Sequence, residues 1–412
     1  MKPSTQGSRT HAFISLLCAM TLAMFVAPGA SGQTFSVLYT FTGGNDGAFP
    51  GVTPTLDAAG NLYGGTVENA SSTCKAFCSN IFKLSPAGQE TTLFTSKGGV
   101  QGFGPSTLIV NKSGTIYGTM QYGGKDIAGY VFKLSKKDKI TMLHQFPASS
   151  GDGQLPAFLI LDPAGNMHGL AVQGGGTGCD GLGCGIIFEL AKKKFQESII
   201  DFTDGIWLPD SLLLDAKGNL YGTSYFGGGA GCGGTGCGTV FKIDTTGNIT
   251  ILYRFQGVPD ASLPEGQIAL DSEGNVYGTT WEGGNGSICQ PSGCGTIYKI
   301  DPSGNETVLH EFYYNDGALP EGGLLLDSSG NLYGTAYAGG NHGFGTVFKI
   351  DAGGNFTTIY NFTNGADGAE PDTGLVRDAD GNLYGGALFG GYSGGNGLCF
   401  PGGCGTIFKI TP

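Results

Sequence analysis

Gly330-Asn331-Leu332-Tyr333-Gly334-Thr335, then a glycine-rich loop, then Gly345-Thr346-Val347-Phe348-Lys349-Ile350: this pair of segments decides the fold, because variants of it return seven times along the chain. The marker position is Tyr63, Tyr117, His168, Tyr221, Tyr277, Tyr333 and Tyr384, at spacings of 54, 51, 53, 56, 56 and 51 residues. Periods of that length belong to solenoids and propeller blades. Each copy reads as four short strands, a to d, shown in the sixth by 323–327, 331–335, 346–350 and 356–362. Asp327-Ser328-Ser329-Gly330-Asn331 and Asp351-Ala352-Gly353-Gly354-Asn355 join a to b and c to d; an Asp that closes a turn on its own backbone, followed by a Gly for positive φ, makes a tight hairpin.

A four-stranded antiparallel sheet of this size cannot bury its faces alone, whereas identical sheets packed radially bury both. The expected fold is therefore all-β, a seven-bladed β-propeller. The last copy stops at Ile407-Phe408-Lys409-Ile410 without a d strand, while Phe35-Ser36-Val37-Leu38-Tyr39-Thr40-Phe41 matches the d strand Ile249–Phe255. The missing strand sits at the other end of the chain, so the ring is expected to close by pairing the N-terminal strand into the last blade, leaving no open edge. An open solenoid would instead need capping segments. Blades are placed at about 50–96, 105–146, 156–203, 209–255, 264–312, 320–362, and 371–410 with 35–41, after a signal peptide at 1–32.

The repeated residues Gly330 to Thr335 and Gly345 to Ile350 resemble the gloeo/verruco ("GloVer") tandem-repeat family of exported bacterial proteins, across nearly the whole chain after the leader. The resemblance implies export and assigns no reaction, so no catalytic residue is carried over. Many members carry a C-terminal anchor; here Thr411-Pro412 follow the last strand directly and no anchor is expected.

Lys2 and Arg9 precede an apolar run from Ala12 to Ala27, and Ala30-Ser31-Gly32 offers small residues for cleavage, the pattern of a secretory leader. The run is too short for a membrane span and no second one exists. The expected product is a secreted, periplasmic or cell-surface monomer. Without residues 1–32 the chain keeps 19 basic against 33 acidic residues, and only two arginines, Arg254 and Arg377, which excludes nucleic acid as a partner. A polysaccharide or a protein outside the cell remains. Glycine, 78 of 412 residues, would signal disorder without a period, but apolar and aromatic residues return on schedule between the glycines.

The b–c loops and d–a links leave a blade on the same face, and loops on a rigid frame are where binding residues gather. The links repeat an acid: Asp46, Asp152, Asp204, Asp260, Asp316 and Asp367, each shortly before a proline. Ringed around a channel mouth, such carboxylates could hold a cationic or hydroxyl-rich ligand; no cofactor is expected, Ca²⁺ being the ion such a ring could take. The competing reading makes each Asp a turn cap, and repetition at the blade period favours it. Aromatic residues after strand b, namely Tyr122, Phe226, Trp281, Tyr337, Phe389 and Tyr392, could stack on sugars or pack between blades. His144 and His310 take the place of a strand-d tyrosine and His168 that of the marker tyrosine, so only His342 stands on the candidate face outside the repeat register. No nucleophile elbow, metal-ligand histidine pair or phosphate loop is present. The expected function is an exported non-catalytic binding module, with a polysaccharide hydrolase or lyase using mouth carboxylates as the alternative.

Beside Cys18 in the leader, ten cysteines fall in five local pairs: Cys74 and Cys78, Cys179 and Cys184, Cys232 and Cys237, Cys289 and Cys294, Cys399 and Cys404. Separate blades cannot bring them into one tetrahedral site, none has C-x-x-C spacing, and export favours oxidation, so each pair is expected to close its own b–c loop. Peptide mapping of the secreted protein without reductant should recover five intraloop crosslinks and no free thiol; crosslinks between loops, or alkylatable cysteines, would refute the assignment.

Overall fold

The computed structural model describes residues 33–68, 78–136, 139–148, 153–176, 178–179, 181–191, 197–202, 205–285, 289–391, 399 and 402–412. Seven four-stranded sheets follow one another, each in the order a-b-c-d and antiparallel throughout. Blade 4 is typical, with strands Trp207–Leu214, Leu220–Phe226, Thr239–Ile243 and Ile249–Arg254. The first strand, Thr34–Thr40, pairs with the last, Thr406–Thr411, from Thr34 opposite Thr411 to Thr40 opposite Thr406, and completes the seventh sheet. Ring closure is as the terminal sequences require.

Most hairpins are wired by an aspartate, with Asn111 in its place in blade 2. Oδ1 of Asp57 accepts the backbone N–H groups of Ala59 and Asn61, both at 2.9 Å, and Oδ2 accepts Asn61 Nδ2 at 2.7 Å and the Tyr63 hydroxyl at 3.0 Å. Asp271 and Asp378 repeat the set with Tyr277 and Tyr384. Burial works against ionisation of Asp57, but the bonds from Asn61, Tyr63 and Ala59 outweigh it and hold the carboxyl below its usual range. The marker tyrosine also lies under a strand-c lysine, with Lys242 Nζ 5.3 Å from the Tyr221 ring centroid. Blade 3, where His168 and Glu189 replace that pair, sets His168 Nε2 3.8 Å from Asp162 instead.

The core lies between blades. On strand c one ring per blade covers a glycine of strand b: a Cβ on Gly222 would stand 2.5 Å from Phe241 Cζ and 2.5 Å from the Ser211 carbonyl oxygen, so only glycine fits. The same ring meets, edge to face, a phenylalanine at the end of the preceding blade's strand d. Phe146 and Phe188, Phe202 and Phe241, Phe312 and Phe348, and Phe362 and Phe408 sit 5.1 to 5.3 Å apart. At the closing junction the partner of Phe82 is Phe41, fully buried, at 5.2 Å. Between blades 1 and 2 Ser96 holds that position, and its hydroxyl accepts the Ser79 N–H at 2.9 Å.

Phe41→Ala removes an aromatic side chain from the junction that closes the ring. Chemical denaturation should show a loss of about 3–5 kcal/mol, whereas a loss under about 1 kcal/mol would mean that the N-terminal strand is peripheral to the fold.

Candidate functional site

Every d–a link turns the chain sharply into the next blade. The residue before the link proline is left-handed although it carries a side chain: Phe49, Leu155, Leu208, Leu263, Leu319 and Glu370 have φ between 52° and 59°. Such residues are strained, and here the strain returns with the blade period. It is held by the preceding blade. The N–H groups of Phe49, Leu263 and Leu319 bond to the carbonyls of Cys404, Cys237 and Cys294 at 2.8 to 2.9 Å, so the stapled loops anchor the links. Cys179–Cys184, Cys232–Cys237, Cys289–Cys294 and Cys399–Cys404 are disulfides and Cys78 is disulfide-bonded; Cys74 lies outside the described residues.

The link aspartates serve these turns. Asp46 accepts the Thr42 N–H at 2.8 Å, the Thr42 hydroxyl at 2.6 Å and the Tyr39 hydroxyl at 3.1 Å. Asp367 does the same with Thr363 and Tyr360, and Asp260 with the Gln256 N–H at 2.8 Å and Tyr253. Asp316 takes the Tyr313 N–H at 2.9 Å and sits 3.1 Å from His310 Nε2, whose ring stacks on Phe356 at 3.7 Å. Asp152 and Asp204 lie outside the described residues. His342 is exposed on its loop. Tyr122 stacks on Phe103 at 4.4 Å, Phe226 leans on Trp207 at 5.3 Å and Phe389 on Phe49 at 5.3 Å, all of them packing contacts. Tyr392 lies outside the described residues.

The carboxylates that converge are different ones, immediately after the proline. That position reads Gly51, Ser106, Ala157, Asp210, Glu265, Glu321 and Asp372 around the ring, so four consecutive blades supply an acid and three do not. Asp210 Oδ2 accepts the Gly266 N–H from the next blade at 2.8 Å. Glu321 hydrogen-bonds Asp372, which accepts the shared proton. A Cβ on Gly51 would be 3.8 Å from Asp372 Oδ2, which closes the circle. Above the acids, strand b of blades 4, 5 and 6 places Tyr225, Trp281 and Tyr337 at one equivalent position, where the other blades have Val67, Gln121, Val172 and Leu388. The Tyr337 hydroxyl donates to Glu370. The Trp281 indole N–H is buried without a well-formed hydrogen bond, yet near enough to Glu321 to draw its pKa down. Among the described residues, Trp281 and Tyr337 are thus the candidates read from the sequence that the structure brings to this cluster.

All four carboxyls are packed by protein while keeping some surface open to the axis. Burial, then the charges of Asp210 and Asp372, push Glu265 up to about 8. Burial lifts Asp210 to about 6, its bond from Gly266 opposing and Asp372 adding to the rise. Burial and Asp372 raise Glu321, and burial raises Asp372. No lysine or arginine faces them among the described residues. Nor, among the described residues, do three or more His, Cys, Asp or Glu side chains come together in a way that could hold a metal ion.

The cluster has a floor. Between the link proline and the hairpin aspartate or asparagine, blades 2, 3 and 4 have five residues and blades 1, 5, 6 and 7 have six. The longer strands bulge onto the neighbouring blade: Gln267 bridges Gly323, and Gly374 N–H donates to Thr53 Oγ1 at 2.9 Å. A Cβ on Gly266 would lie 2.2 Å from the Glu321 carbonyl oxygen, so this approach requires glycine. Past the bulges a separate cavity of about 400 Å³ is lined by Thr53, Ser106, Thr107, Phe158, Ile160 and Gln267. The acids therefore sit in a shallow cup on the face of the b–c loops and d–a links.

A family model described as the Gloeobacter/Verrucomicrobia repeat matches residues 24–182, 77–289, 156–325 and 233–412. No curated protein matches the sequence. Among solved structures, a streptogramin B lyase is 14% identical with a TM-score of 0.60, covering 92% of this chain and 97% of its own. A catalytically inactive form of the virginiamycin B lyase of Staphylococcus aureus, solved with quinupristin, is 15% identical with a TM-score of 0.60, at 92% and 99% coverage. The extracellular domain of a B. thetaiotaomicron protein assigned to the one-component systems is 10% identical with a TM-score of 0.55, covering 92% of this chain and 39% of that one. At these identities the likeness is one of fold. Among the described residues no helix is long and apolar enough to cross a membrane.

The raised pKa of Glu265 fixes the sign of a stability effect. Between about pH 4.5 and 8 the folded protein keeps a proton that the unfolded chain has released, so the Glu265 contribution is fully present below that window and is lost as pH rises through it. Glu265→Gln should match the wild type near pH 4 and exceed its stability at pH 8.5 by about 3–5 kcal/mol, the rise from 4.5 to about 8 counting about 1.4 per pKa unit. Parallel stability–pH curves for the two proteins would show that Glu265 is not crowded by like charge.

Proposed function

The chain belongs to the Gloeobacter/Verrucomicrobia repeat family, and from that membership and the geometry of the cup we propose that it is an extracellular binding module that takes its ligand among Asp210, Glu265, Glu321 and Asp372. One observation carries the reading: these acids converge across four blades without a facing lysine or arginine among the described residues, an arrangement that costs stability even though Asp210 also ties blade 4 to blade 5 through the Gly266 N–H. The repeated Asp46, Asp260, Asp316 and Asp367 are committed to turns, whereas the cup residues break the repeat. Disulfides on the same face and the leader-like residues 1–32 support action outside the cytoplasm.

A second reading is supported by the pKa pattern. A carboxylic acid such as Glu265, protonated near neutral pH beside one that is not, is what general acid–base chemistry on a polysaccharide would use. The crowding that produces this pattern serves a binding pocket equally, and no nucleophile or histidine partner accompanies it among the described residues, so binding is preferred.

Thermal melting with a panel of neutral and cationic oligosaccharides, on the wild type and on Glu265→Gln/Glu321→Gln, separates the readings. Binding at the cup raises Tm by several degrees at about 100 times Kd in the wild type and by less than half as much in the double variant. Equal shifts in both proteins would place the site elsewhere. Depolymerisation by the wild type, abolished in the variant, would make the protein an enzyme.

A further inference from the structure

The cup is one-sided, and this asymmetry indicates its ligand. Blades 4 to 7 present Asp210, Glu265, Glu321 and Asp372; blades 1 to 3 present Gly51, Ser106 and Ala157 at the same position. The ring of residues above is divided in nearly the same way, with Tyr225, Trp281 and Tyr337 on the acidic side and Val67, Gln121 and Val172 opposite. A ligand complementary to this surface carries positive charge at one end and a neutral body at the other.

A second, independent feature lies in the core behind the cup. The strand-c ring that covers the strand-b glycine is Phe82, Phe132, Phe188, Phe241, Phe348 or Phe408 in six blades, but Tyr298 in blade 5. Its hydroxyl is carried past Gly278, where a Cβ would lie 2.3 Å from it, toward the innermost strand. Tyr298 is fully buried, its hydroxyl has no hydrogen-bond partner, and the charges of Glu306 and then of Asp210 in the cup act on it. A hydroxyl in place of a phenylalanine hydrogen, left unsatisfied in the core, costs about 1–3 kcal/mol, so packing does not explain it. The Trp281 N–H, buried and short of a well-formed hydrogen bond to Glu321, flanks the cup. One orphan can accept a proton and the other can donate one. A bare metal ion would answer neither need and would require several oxygens in one shell, which the described side chains do not assemble.

We propose that the cup recognises a primary ammonium group on a small hydroxyl-bearing body. The inference rests on the binding reading of the same cup. The ammonium donates to the carboxylates and to Tyr298 Oη, the aromatic faces of Tyr225, Trp281 and Tyr337 add cation–π attraction, and a ligand oxygen accepts the Trp281 N–H. The uncharged body lies over Gly51, Ser106 and Ala157. Amino sugars and polyamines both carry this ammonium chemistry; only the first adds the oxygens.

Trp207 and Trp281 are the only tryptophans, so Trp207→Phe leaves Trp281 as a reporter inside the cup. Its emission is titrated, in the full secreted chain, with glucosamine hexamer, N-acetylglucosamine hexamer, spermidine and Ca²⁺. Glucosamine hexamer should give a saturable change, weakened at least tenfold by Glu265→Gln/Glu321→Gln and about threefold by Tyr298→Phe. Spermidine binding with the same dependence on the acids supports the ammonium and identifies a free amine as an acceptable source. N-acetylglucosamine hexamer binding as tightly, with loss in the double variant, would overturn the ammonium assignment and keep the cup as the site, and a response to Ca²⁺ alone would do the same. A saturable response to any probe that survives the double variant overturns both this inference and the binding reading of the cup, and silence with all four probes overturns the ammonium assignment.

Discussion

The contact on which the rest depends is the pairing of Thr34–Thr40 with Thr406–Thr411. Six blades would bury their inner interfaces without it, but the seventh would lack its outer strand and Phe82 its edge-on partner Phe41. An unclosed set of sheets exposes strand edges and has no fixed axis. Closure supplies both constraints at once: it seals the junction between blades 7 and 1, and it brings Asp372 back to Gly51 and across from Asp210. A site assembled from four blades exists only because the chain returns to its start.

Local chemistry then separates what holds the ring from what the ring presents. Hairpin aspartates such as Asp57 and link aspartates such as Asp46 have their oxygens filled by neighbouring N–H and O–H groups, so their charge is absorbed within a turn. Asp210, Glu265, Glu321 and Asp372 get little of this: one backbone N–H for Asp210, a shared proton between Glu321 and Asp372, and otherwise burial and one another's charge. Burying carboxyls beside carboxyls opposes folding. The disulfide-anchored links, the left-handed residues before the prolines and the glycine bulges hold the arrangement in place, which places rigidity directly behind this destabilising cluster.

The architecture was legible because it is repeated. The tyrosine marker, the Asp-Gly-Asn hairpins and the displaced d strand each predict a contact that the structure contains, and the turn-capping reading of the link aspartates matches their hydrogen bonds. The cup was not read from the sequence, because attention to recurring residues favours those that build turns. Aligning the seven links on their prolines would have exposed the next position, where glycine, serine and alanine give way to four acids in succession. Tyr225 was missed by one residue in favour of Phe226; the two rings meet edge to face at 4.9 Å, Phe226 leaning on Trp207 while Tyr225 feels the charge of the acids. Tyr298 stands out only once the rings over the strand-b glycines are compared. Nothing in one blade's sequence shows that Glu321 and Asp372, 51 positions apart, will hydrogen-bond.

The most direct test of the account is the titration of the glutamate side chains followed by carbon NMR on protein labelled at the glutamate carboxyls. Convergence around a closed axis requires Glu265 to titrate near 8 and Glu321 also well above the ordinary glutamate value, and Asp372→Asn to lower the pKa of both. If both instead titrate near 4.5 and ignore Asp372, the carboxyls do not meet on the axis and the cup does not exist as described.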